Sequence, residues 1–88
     1  MEYRIIHITD QGSDCFNWPF QIGQRVRSKA GELSGVVIDA WAEGEMPEAE
    51  ALKFVADAEM FYRVRTEDGR EFMERSTELE AEQGLTLL

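Results

Sequence analysis

The sequence predicts a mainly β fold: a small antiparallel barrel with an N-terminal strand and one inserted helix, all in one domain of 88 residues. Three observations predict it. Met60 to Thr66 alternates strictly, with Met60, Tyr62, Val64 and Thr66 on one face and Phe61, Arg63 and Arg65 on the other. Glu67-Asp68-Gly69 then carries the Asp-Gly signal of a tight hairpin. Upstream, Phe20 to Trp41 reads as two short strands around the glycine-flanked turn Ala30–Gly35, the opening unit of many small barrels.

Each element follows from its residues. Tyr3 to Thr9, YRIIHIT, is rich in β-branched and aromatic side chains and reads as a strand on a barrel edge. Asp10 to Asp14 is a polar turn. Cys15 to Phe20 holds three aromatics, and Pro19 keeps Trp18 extended. Two readings stand for Phe16, Trp18 and Phe20: a loop closing one end of the core, or a contact surface for another subunit. Gln24 to Lys29 buries Val26 and turns Arg25, Arg27 and Lys29 outward. Gly35 to Trp41 is a second strand, β-branched at Val36, Val37 and Ile38.

Pro47 to about Glu59 reads as the inserted helix. Proline suits its first position, and Glu48 and Glu50 in the first turn complement the helix dipole. Ala51, Phe54, Val55 and Ala58 recur at helical spacing. Arg70 to Glu74 returns from the hairpin as a paired strand, with Arg63 or Arg65 opposite Glu71. Thr77 and Glu80 have capping-box spacing, which predicts a short helical or 3₁₀ turn, followed by a last short strand or a tail. Leu85, Leu87 and Leu88 close the sequence with apolar residues.

Composition bounds the function. The net charge of −9, from 18 acidic and 9 basic residues, repels phosphate backbones and anionic lipid, so nucleic-acid and membrane partners are disfavoured. A single cysteine, Cys15, allows no internal disulfide and fits a reducing compartment. No apolar run reaches the ~20 residues of a membrane span, and the first residues do not read as a signal peptide. The expected location is the cytoplasm.

Catalytic patterns are sparse. His7, the one histidine, lies in an apolar strand and reads as structural. One histidine and one cysteine do not make a common metal site, so no metal is expected. The serines and threonines lack a triad context, and no phosphate-cradling glycine loop is present. No catalytic residue is assigned. The stripe of Arg25, Arg27 and Lys29 reads either as partners for the abundant carboxylates or as an anion pocket.

The segment F-x-x-G-x-R-V-R-x-K-x-G, Phe20 to Gly31, resembles the plasmid-borne type II dihydrofolate reductases. Gly35 to Trp41 continues the likeness, as does Leu79-Glu80, over roughly half the chain. The resemblance implies an SH3-like barrel of about five antiparallel strands. It also implies a homotetramer whose central pore binds NADPH and dihydrofolate. That family's pore wall carries a V-Q-I-Y strand, where this chain has Glu71-Phe72-Met73-Glu74, and a lysine, where it has Ser28 beside Lys29.

The expected function is therefore a non-catalytic β-barrel interaction module, a homo-oligomer or the partner of another protein. Phe16, Trp18 and Phe20 are the expected interface, and no cofactor is expected. The competing reading is a pore-type NADPH-dependent reductase, or a relative binding another small ligand, with Lys29 and Tyr62 as ligand contacts.

Overall fold

A computed structural model of the protein describes residues 2–46 and 58–82. Among them, six strands form one antiparallel sheet: β1 (Glu2–His7), β2 (Arg25–Ser28), β3 (Ser34–Met46), β4 (Glu59–Arg65), β5 (Glu71–Arg75) and β6 (Leu79–Ala81). The strand order is β5-β4-β3-β2-β6, and β1 pairs with β3 as well.

Strand β3 is the axis of the sheet. Its first residues, Ser34 to Val36, pair with β2, and Trp41 to Met46 pair with β1. Its other side pairs with β4 from Val36↔Arg65 to Glu43↔Glu59. The register shifts between Val37 and Asp39, so Ile38 is an extra residue, a β-bulge that bends and twists the strand. The hairpin predicted at Asp68-Gly69 joins β4 to β5, with Gly69 at φ 86°, a conformation glycine adopts without a Cβ penalty. A 3₁₀ turn at Ser76–Glu78 leads into β6.

The core lies in two adjoining clusters. Phe20, Val26, Val37, Ala40, Tyr62, Val64 and Leu79 form one, with Trp18 and Phe72 packed against it. Ile6, Phe16, Ala42 and Met46 form the other.

Two expectations need correction. β3 does not stop at Trp41 but runs on to Met46. Ala, Gly and Glu are weak strand formers, and it is pairing with β1 and β4 that holds Ala42 to Met46 extended. The helix read from Pro47 to about Glu59 lies mostly outside the described residues, but it does not extend to Glu59, which opens β4 opposite Glu43. The apolar tail Leu85, Leu87 and Leu88 is likewise outside the described residues.

Candidate functional site

Partners in register share a sheet face, so the pairings place a connected set of side chains on the face turned away from the core. His7 stands opposite Trp41, Trp41 opposite Phe61, and Phe61 opposite Arg75. The Trp41 ring stacks on Phe61 with centroids 5.9 Å apart and lies 5.8 Å from the His7 ring. The Arg63 guanidinium sits 5.8 Å from the Trp41 centroid, a cation–π distance. His7 Nδ1 lies 3.2 Å from Asp39 Oδ1, which also accepts the Ala40 N–H at 2.8 Å.

Glu43 anchors the β1 end of this face. It accepts the Trp41 indole N–H at 3.0 Å and a hydrogen bond from the Tyr3 hydroxyl. These two donors, Tyr3 first, hold its carboxyl below the usual range. In return the phenol of Tyr3 is raised, mainly because its proton is held by Glu43. Tyr3, Ile5 and Met73 stand well out of the surface, exposed by 63%, 52% and 52%. The face therefore combines a pinned aromatic row with protruding apolar side chains.

Apart from this face, a cleft of about 470 Å³ opens between the β2–β3 turn and the β4–β5 hairpin. Leu33 and Phe72 line it with Glu32, Glu67, Asp68 and Glu71. Three of these carboxylates are engaged within the chain, Glu67 with Arg25 at 3.7 Å. Asp68 is drawn down to about 2 by hydrogen bonds from Thr66 and Arg70, and Glu71 meets Arg65 at 3.0 Å. Among the described residues, no group of three or more His, Cys, Asp or Glu could hold a metal ion.

The residues singled out from the sequence fall elsewhere. Phe16 and Phe20 are buried, and Trp18 is half-buried with its indole N–H donated to the Ser13 carbonyl at 2.7 Å. Within the chain they close the core; they are not a displayed surface. The 3₁₀ turn Ser13–Cys15 folds this loop back, bringing the Phe16 and Trp18 rings to 5.7 Å from each other. Tyr62 is also withdrawn from solvent, so it is not an accessible ligand contact; its hydroxyl bridges the backbone N–H and carbonyl of Phe20. Lys29 is exposed at the end of β2 and does not line the cleft. Of the basic stripe, Arg27 pairs with Glu80 at 2.7 Å and Arg25 with Glu82 at 3.0 Å, as the carboxylate reading expected.

Sequence reasoning missed the face built on Tyr3, Ile5, Trp41, Glu43 and Phe61. Its signal was present as spacing-two alternation in Tyr3-Ile5-His7 and Phe61-Arg63-Arg65. What joins those rows is the second half of β3. No protein-family model matches this chain, and no curated protein or solved structure matches it either.

Proposed function

We propose that this chain is a non-catalytic interaction module, a small SH3-like barrel that self-associates in the cytoplasm. The observation that carries the reading is the set of exposed apolar side chains that stand among charged neighbours on the outer face of a strongly acidic chain. Tyr3, Ile5 and Met73 are more than half exposed there, beside the ordered row His7–Trp41–Phe61. Exposed apolar groups gathered on one face mark contact surfaces.

The barrel part of the reading is supported by chain connectivity. β5 and β6 stand at opposite ends of the strand order, yet only Ser76–Glu78 joins them. Four Cα steps reach at most ~14 Å. Four interstrand spacings in a flat sheet span ~19 Å. A flat sheet is too wide for that link, so the sheet must curl. The likeness of Phe20–Gly31 to the type II reductases supports the same barrel.

The test is sedimentation velocity from low to high micromolar protein. The expected result is a concentration-dependent shift to a dimer or larger closed assembly. A monomer throughout that range overturns the proposal.

A further inference from the structure

This inference rests on the self-association reading and names its contact. In an antiparallel ladder, the N–H and C=O of one residue point to the same side, and successive residues alternate. The Ile8 N–H donates to the Ala40 carbonyl at 2.9 Å, which places the even-numbered residues of β1 toward β3. The odd-numbered residues therefore turn their N–H and C=O groups outward. At His7 both are taken, the N–H by Asp10 Oδ2 at 2.9 Å and the carbonyl by the Asp10 N–H at 2.8 Å. At Tyr3 and Ile5 no described residue pairs with them, because β1 joins the sheet through β3 alone. These two residues also carry the most exposed large apolar side chains of the strand.

We propose that β1 pairs antiparallel with β1 of a second copy across a two-fold axis at Arg4, continuing the sheet from one protomer into the next. Tyr3 then lies opposite Ile5 of the second copy and Ile5 opposite Tyr3, so every outward N–H and C=O at both positions gains a partner. The side-chain match is an aromatic on a β-branched residue, a favourable cross-strand pair. At the axis Arg4 faces Arg4 of the second copy, a like-charge pair that costs stability, and Glu2 offsets it. Arg4 and Glu2 of one chain already lie 3.4 Å apart, and the diagonal neighbour of each Arg4 is Glu2 of the other copy. The two arginines at the axis are therefore flanked by two carboxylates. The contact is isologous and consumes both edges.

Proline tests this directly. The N–H of Ile5 points away from β3, so Ile5→Pro removes an outward donor and leaves the β1–β3 ladder intact. The expected result is a folded monomer: sedimentation drops to one protomer and the far-ultraviolet dichroism is kept. A wild type that associates while folded Ile5→Pro associates equally well overturns the edge and leaves self-association standing. A wild type that never associates overturns both. If Ile5→Pro does not fold, amide exchange on the wild type decides. Protection at Tyr3 and Ile5 that rises with protein concentration supports the edge pairing, and fast exchange at both in the associated state overturns it.

Discussion

Tyr62 shows how much one side chain can hold. Its ring packs edge-on against Phe20 at 5.4 Å, and its hydroxyl accepts the Phe20 N–H at 3.0 Å and donates to the Phe20 carbonyl at 3.1 Å. Tyr62→Phe keeps the ring and strands two buried backbone groups, so a loss of about 1–3 kcal/mol is expected. Thermal melts would show it, at roughly 4–8 °C per kcal/mol for a domain of this size. Burial also raises the Tyr62 phenol above 10.0, against a smaller opposing effect of the Phe20 N–H. The folded state thus holds this proton more tightly than the unfolded chain. The stability involved is intact below about pH 10 and is lost as the pH climbs through the folded value. Tyr62→Phe should flatten that alkaline decline without abolishing it, since Tyr3 is raised too. Melts above pH 10 that decline equally in both proteins would contradict this.

Among the elements, β3 and β4 approach closely at Gly35. A Cβ there would stand 2.1 Å from the Arg65 carbonyl oxygen and 2.7 Å from its carbon. Both are backbone atoms in a paired strand and cannot swing aside, so Gly35→Ala should cost about 1–3 kcal/mol or more. A urea titration with an unchanged midpoint would show that the strands can part there. The same pair of strands marks what was legible in the sequence. Alternation in Met60–Thr66 and the Asp68-Gly69 turn were local signals, and β4, β5 and the Arg65–Glu71 pair are where they placed them. The second half of β3 was not legible, because Ala42 to Met46 is extended by its neighbours and not by its own propensity. The outer face depends on that stretch and went unread with it. For Phe16 and Phe20 both an inward and an outward reading stood, and the sequence could not choose between them, since their direction depends on the turn at Ser13–Cys15 and on distant Tyr62.

For the whole molecule, the contest is between an assembly module and a pore-type reductase. The resemblance to the type II reductases would put a pore wall at Glu71 to Glu74, within β5. Here two side chains of β5 are engaged within the chain: Glu71 bridges Arg63 and Arg65, and Phe72 packs against the core. The chain's negative charge would also repel a phosphate-bearing cofactor and a dicarboxylate substrate. We therefore expect no saturable, dihydrofolate-dependent oxidation of NADPH. An absorbance assay that finds it would restore the reductase reading.

The short bridge between His7 and Asp10 has a bearing on solubility. A long bare strand edge is a template on which further chains can stack into fibrils. Asp10 occupies both outward backbone groups of His7 and places a carboxylate at the end of the strand. The stretch left open on β1 is thus too short to seed a growing cross-β stack, and its far end repels an incoming acidic copy. One aspartate so placed shortens the open edge of β1 and leaves room there only for a contact of limited length.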